Sequence, residues 1–481
     1  MDRDRSRGLA GECRRGDGST YKRRRVCGFP GGGLSFAFEF GRKAVWSLEV
    51  PPDLPAQSRS QSQLPEEWLL EELQRRAVRF FWEKADPGTG LINDRANNFV
   101  ADDYTVASIA ATGYGLAALP IGVEHGWLNR TDAAARARTT LRFLLAMPNE
   151  RGWMTHFADK HSGERAWRSE YSSIDTALLT AGALTCGQYF VRDASTRDIA
   201  GLGDALYRRI DWWWMLTNGG QQPEKKVLSH GWTPETGFIK HDYADYSEAL
   251  LLYLLGLGAP VDPLPPAAWE GFERPLQLYH GIESLKAGPI FIHQMPSGYF
   301  YFRNQRDNLG FDYWVASTNA MKIQRQFCID RAGDFHTYAQ GFWGLNASDG
   351  PDGYTAYGAP DGPHNGTVSP TGAIGSITFT PRLAVSAACD LYEVAGDALW
   401  GHYGFANAFN VDRNWYARDV IGIDLGMVLL AIENYRTGLV WALMERAPST
   451  GQAFGAAGFQ PAVEPEPRPV CLGCRSSDYL K

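Results

Sequence analysis

From Pro65 to about Met444 the chain is written almost wholly in helical periodicity, and some of its helices are apolar on every side. Leu69, Leu73, Ala77 and Phe81 recur every four residues behind Pro65, Glu66 and Glu67, which is one face of an amphipathic helix after a helix-starting proline. Similar patterns run over residues 104–119, 132–146, 173–190, 196–216, 245–257, 266–276, 308–331, 335–342, 382–394 and 424–444, about eleven helices in all. The stretches 249–257 and 427–432 have no polar face, so other helices must surround them. Strand-like alternation is scarce, with Tyr299 to Arg303 the best candidate for a small hairpin.

The connections alternate in character. Some are short and polar, while those over 151–168, 221–243, 288–308 and 344–380 are long and rich in Gly, Pro and aromatic residues. Paired helices with elaborate loops after alternate members predict an all-α fold, an α/α toroid in which an outer ring wraps an inner one and the long loops line a cleft at one end. No repeat of fixed period is present, which argues against a solenoid.

The ends differ from this body. Residues 1–64 mix Gly, Arg, Ser and Pro with little periodicity, and are expected to be a disordered, basic N-terminal extension with a short strand at Leu34 to Phe40. The folded domain is expected over 65–447. The tail 448–481, rich in Pro, Gly and Glu, is expected to be disordered.

The net charge of -7 is unevenly spread: residues 1–64 carry twelve Lys+Arg against seven Asp+Glu. The acidic body argues against a nucleic-acid binder, which presents a basic face. Of seven cysteines, Cys186, Cys328 and Cys389 sit in apolar helical patterns and read as core residues. Cys471 and Cys474 make a lone CxxC, which without a second pair or a His cluster is a weak metal signal. No apolar run reaches the roughly 18 residues of a membrane-spanning helix, and the start lacks the order of a signal peptide.

Standard catalytic constellations are missing: there is no GxSxG elbow, Walker loop or HExxH. The histidines are scattered, and the pairs His156/His161 and His230/His241 read as hydrogen-bonding groups rather than metal ligands, so neither metal nor cofactor is expected. What remains is carboxylates among aromatics. Glu170 follows Trp167 and Arg168 and precedes Tyr171, just before an apolar helix whose start, Ser172, Ser173 and Asp175, suits an N-cap and an acidic first turn. Asp349 lies in WGLNASDGPDGY, Glu248 opens the apolar YSEALLLYLL, Asp424 sits in GIDLG, and Asp102 and Asp103 precede a helix pattern. Glycoside hydrolysis needs two carboxyl groups flanking the scissile bond. Burial against Trp raises a carboxyl pKa, which suits a proton donor, and aromatic faces stack on sugar rings. An alternative class keeps the toroid but performs lyase, epimerase or cyclase chemistry; Asp102-Asp103 is not a DDxxD motif, which argues against a cyclase.

The ordered motifs RSEYSSIDTALL, YSEALLLYLLGLGAP, HQMPSGYFYFR, FWGLNASDGPDGY, SITFTP, GHYGFANAFN, GIDLG and IENYRTGLVW resemble the glycoamylase-like domain of glycoside hydrolase family 144, the endo-β-1,2-glucanases, and of the transglycosylating module of cyclic β-1,2-glucan synthases. The resemblance covers about Glu66 to Met444. It implies an (α/α)6 barrel and metal-independent hydrolysis of a β-glucan with inversion, by a monomer acting on an oligo- or polysaccharide, in the periplasm or outside the cell. Glu170 is then the general acid, Asp349 the base and Asp103 a third cleft carboxylate. His293, Gln294 and Arg303 become a subsite wall, and Trp167, Arg168, Tyr171, Trp232, Tyr246, Glu248, Trp343, Tyr354 and Asp424 line the cleft. Departures from the family pattern are Leu425 for a Gln, Asn365 for an Asp, Tyr301 for an Asp, and Gly258 to Pro263 in place of GSPTHP. They leave linkage and chain-length preference open, and with them transglycosylation or glycan binding without turnover.

Overall fold

The structure, a computed structural model, describes residues 66–462 and two short strands, Ala37–Glu39 and Val45–Ser47, that pair antiparallel. The strand expected over 34–40 thus occupies 37–39. The remainder of the N-terminal extension and the Cys471–Cys474 tail lie outside the described residues.

Sixteen helices are found among the described residues. In chain order α1 spans Glu66–Glu83, α2 Ile109–Glu124, α3 Arg130–Ala146 and α4 Ser173–Phe190. Next come α5 Asp198–Arg208, α6 Trp212–Leu216, α7 Leu250–Leu257, α8 Pro266–Gly271 and α9 Phe291–Tyr299. Then follow α10 Tyr313–Asp330, α11 His336–Ala339, α12 Pro370–Ile374 and α13 Pro381–Leu399. The last three are α14 Gly422–Arg436, α15 Leu439–Arg446 and α16 Pro448–Ala456.

The helices without a polar face form the inner ring. α2 packs on α4, α4 on α7, α7 on α9, α9 and α12 on α14, and α14 closes back on α2. Gln294 ties α9 to α12 through Nε2, which donates to Gly372 O at 2.8 Å and Ser376 Oγ at 3.0 Å. The amphipathic helices α1, α3, α5, α10 and α13 lie outside and turn their polar faces to water. This is the expected toroid. Its tightest joint is the α2/α4 crossing, where a Cβ on Gly182 would stand 1.9 Å from Gly113 O, so glycine at both positions lets the backbones touch.

Three expectations are corrected. The loop expected over 288–308 contains α9; Pro296 and Gly298 hide its periodicity, and the helix is held by burial on all sides. Tyr299 to Arg303 is accordingly no hairpin. The tail from 448 begins with α16 and a strand at Gln460–Pro461 that pairs with Gln305–Arg306. Phe454 and Phe459 anchor this segment against Phe302, with ring centroids 5.9 Å away in each case. No helix of the described residues is long and apolar enough to cross a membrane.

The inner helices begin at one end of the ring, and short paired strands crown that end. Strand 95–97 pairs with 419–421 before α14, 106–108 before α2 pairs with 157–159, and 171–172 before α4 pairs with 231–233. These pairings turn chain segments far apart in sequence into one surface.

Candidate active site

Glu170 stands at the start of this crown. Ser172 caps α4, its Oγ accepting from Asp175 N, as the sequence predicts. The bridge between Thr155 and Tyr171 lays the preceding loop alongside. His156 N–H donates to Glu170 O at 2.8 Å, and His156 Nδ1 meets Glu170 Oε1 at 2.9 Å. Its other nitrogen, Nε2, faces Asp175 Oδ1 at 3.6 Å. Burial disfavours the imidazolium, but the charges of Asp175, Glu170 and Asp94 outweigh it and push His156 up to about 9. Burial likewise favours a neutral Glu170, yet the His156 bond and charge outweigh it and hold this carboxyl below its ordinary value. The expectation that burial against Trp raises Glu170 is therefore corrected: the ion pair wins.

Asp349 occupies the opposite loop, directly after strand Ala347–Ser348. Arg95 Nη1 reaches Asp349 Oδ2 at 3.2 Å and Arg95 Nε reaches Asp94 Oδ2 at 3.1 Å. Asn407 joins the two remaining groups: its Oδ1 accepts from Asp349 N at 2.8 Å, and its Nδ2 donates to Asp424 Oδ2 at 2.7 Å. Asp424, in the first turn of α14, is 4% exposed. Burial and then the neighbouring Asp349 charge push it up to about 8, so it is protonated at neutral pH. Asp94, buried and raised, senses both His156 and Asp349. The two carboxylates singled out from the sequence therefore belong to one charged network, with Asp94 between them.

Aromatic and polar groups rim the network. Trp167, 64% exposed, meets Phe157 edge-on at 5.1 Å. Tyr171 lies opposite Trp232 at 5.9 Å, Arg168 is exposed, and Tyr354, 59% exposed overall, has its hydroxyl raised by local burial and by the charges of Asp424, Asp94 and Asp349. Glu248 is half-buried; burial first, then the Asp175 charge, pushes it up to about 7.

Other predicted residues fall elsewhere. Tyr246 and His293 form a buried pair, the tyrosine hydroxyl 3.0 Å from Nδ1, with burial driving His293 down to about 3. Gln294 clamps α12 and Trp343 is core, so neither forms a subsite wall or a cleft lining. Arg303 follows the far end of α9. Phe291 N at the start of α9 donates to Asn346 near Asp424, whereas Ser297 O near its end accepts from Trp441. Nine residues at 1.5 Å rise put ~13 Å between the helix ends, and Arg303 lies beyond the second. Asp103 is exposed and outside the network; Asp102 beside it makes the local bonds, to Lys84 and Asn97.

Sequence reading missed Asp94, Arg95, Asn346 and Asn407, and gave His156 no partner. The GFANAFN motif held Asn407, but nothing local marks it as the joint between two aspartates. The ligand-capable atoms of His156, Glu170 and Asp175 lie within 4.8 Å of one another. His156 turns one nitrogen to each carboxylate of this trio, Nδ1 to Glu170 and Nε2 to Asp175.

Residues 240–448 match the Glycoamylase family, described as "Putative glucoamylase", which bears out the resemblance seen in the motifs. The chain is 28% identical over 458 residues to the exo β-1,2-glucooligosaccharide sophorohydrolase (non-reducing end) of Parabacteroides distasonis, across 86% of this chain and 62% of that protein. It thus spans less than two thirds of that relative's length. The fold matches the endo-β-1,2-glucanase of Chitinophaga pinensis, solved with sophorotriose and glucose, with TM-score 0.77, 25% identity, and coverage of 82% of this chain and 99% of that one. It also matches a β-1,2-glucanase from Parabacteroides distasonis with TM-score 0.76 and 25% identity, over 82% of this chain and 60% of the other.

Proposed function

We propose that this protein is a glycoside hydrolase that cleaves β-1,2-linked glucan or glucooligosaccharide by acid/base chemistry with inversion. One observation carries the reading: Glu170 and Asp349, on loops 179 residues apart, stand in one network, each anchored by its own cation, His156 and Arg95. The β-1,2-linkage named for the matched relatives supports the substrate class. Glu170 protonates the leaving glycosidic oxygen and Asp349 removes a proton from the attacking water, the division of labour of an inverting enzyme. Asp424 is held as the neutral acid beside Asp349. Trp167, Tyr171, Trp232 and Tyr354 offer faces to sugar rings, and Arg168 and Glu248 offer polar contacts to hydroxyls.

The test is release of reducing ends from β-1,2-glucan, with β-1,3- and α-1,4-glucans as controls. Glu170→Gln removes the proton donor and is expected to lower kcat by roughly two to four decades. No product from the wild type, or equal product from Glu170→Gln, would refute the proposal.

A further inference from the structure

We infer that His156 is a positioning residue that stores the proton Glu170 delivers, with Asp175 behind it as the fixed end of a relay. The inference rests on the hydrolase reading and deepens it. Three segments build the chain of contacts. His156 comes from the loop before strand 157–159, Glu170 from the residue before strand 171–172, and Asp175 from the first turn of α4. The imidazole plane is fixed by stacking on Phe157, 3.8 Å between centroids at 16°. One nitrogen lies 2.9 Å from Glu170 and the other 3.6 Å from Asp175. Asp175 is itself locked, its Oδ2 accepting from Ser172 Oγ at 2.5 Å. Burial raises the Asp175 carboxyl, the His156 charge and the Ser172 bond oppose that rise, and the buried pair hold each other in place.

Burial opposes a protonated His156, and the charges of Asp175, Glu170 and Asp94 outweigh it. Asp94 adds a third carboxylate from the loop ahead of α2. His230, from the loop before strand 231–233, faces Glu170 and favours its ionised form. Asp175 in turn faces Glu248, before α7, and favours the neutral form of that carboxyl. In the resting protein the shared proton therefore sits on His156 Nδ1, hydrogen-bonded to Glu170 Oε1.

The step balances as follows. As the bond from the anomeric carbon to the leaving oxygen breaks, that oxygen changes from a weakly basic ether to a strongly basic alkoxide. The proton crosses from His156 Nδ1 through Glu170 to this oxygen, giving a sugar hydroxyl, ionised Glu170 and a neutral His156 whose Nε2–H still faces Asp175. Water supplies the hydroxyl at the anomeric carbon, and Asp349 takes its proton. Release of that proton to solvent and uptake of one by His156 restore the starting state.

Two measurements test the relay. In the wild type, kcat/KM on β-1,2-glucooligosaccharide should hold until pH approaches 9 and fall above it. His156→Asn should move this basic limb down by at least one pH unit and lower the plateau by about tenfold or more; Asp175→Asn should move the limb the same way by less. A uniform rate loss with the limb unmoved overturns the relay and leaves the hydrolase reading intact. If the wild type does not turn over, the hydrolase reading falls, and nitrogen NMR of the His156 ring still decides the relay. The expected result is titration far above an ordinary histidine, dropping by at least one unit in Glu170→Gln; an ordinary titration in the wild type overturns it.

Discussion

Asp424→Asn isolates the most perturbed carboxyl of the site. Its pKa lies near 8 in the folded protein against an ordinary 3.8, so at pH 7 folding obliges the carboxyl to take up a proton that the unfolded chain has released. At 1.36 kcal/mol per unit over about three units, this costs ~4 kcal/mol of stability. The sign follows from proton counts: the native state binds more protons than the unfolded one between pH 3.8 and 8, so wild-type stability falls across that window and levels off above it. Asparagine has the shape of the neutral acid and no such slope. Its Oδ1 keeps the bond from Asn407 Nδ2, while its own amide faces Asn346 Nδ2, a donor mismatch of about 1–2 kcal/mol at a contact already 3.4 Å long. The variant should therefore be slightly less stable than wild type at pH 4 and roughly 2–3 kcal/mol more stable at pH 7 to 8. Denaturant unfolding at both pH values measures the difference. A difference that does not change with pH, or a loss that deepens as pH rises, would refute the reasoning that Asp424 is buried as the acid.

Three more substitutions probe other parts of the structure. Gly182→Ala forces a Cβ against Gly113 O; backbone cannot yield there, so the loss should exceed ~3 kcal/mol and appear as a Tm drop of roughly 6 °C or more, and an unchanged Tm would contradict the α2/α4 joint. Trp167→Ala removes an exposed ring that meets Phe157 edge-on: stability should stay within about 0.5 kcal/mol while KM on glucooligosaccharide rises about 2- to 10-fold, and an unaltered KM would remove Trp167 from the cleft. Arg303→Ala, beyond the far end of α9, should leave kcat/KM on glucooligosaccharide within about twofold, because distant groups couple weakly; a large rise in KM would restore the subsite wall that the fold argues against.

Much was legible in the chain, for an identifiable reason. A helix such as α7, apolar in all eight residues, has a single physical solution, burial among other helices, so the inner ring could be read from sequence. The Ser172 cap and the Asp175 first turn are local chemistry and were equally readable. Where local signals were weak, as in α9 with Pro296 and Gly298, or α12 in the Gly-rich stretch, packing overrode them. Glu170 and Asp349 were also visible as carboxylates among aromatics.

Their electrostatic environment was not visible. Arg95 and Asp349 are 254 positions apart, and they meet because strand 95–97 pairs with 419–421 beneath the 349 loop. Glu170 and His156 are only 14 apart, yet their contact depends on the bridge between Thr155 and Tyr171. Sequence by itself determined which segments must be buried helices and which residue types could carry the chemistry, because periodicity and capping are local. The tertiary structure alone decided which carboxyl is charged and which is neutral, since a pKa is set by burial and by charges a few ångströms away. Folding thus reversed the expectation for Glu170, through His156, and made Asp424 the protonated acid beside Asp349.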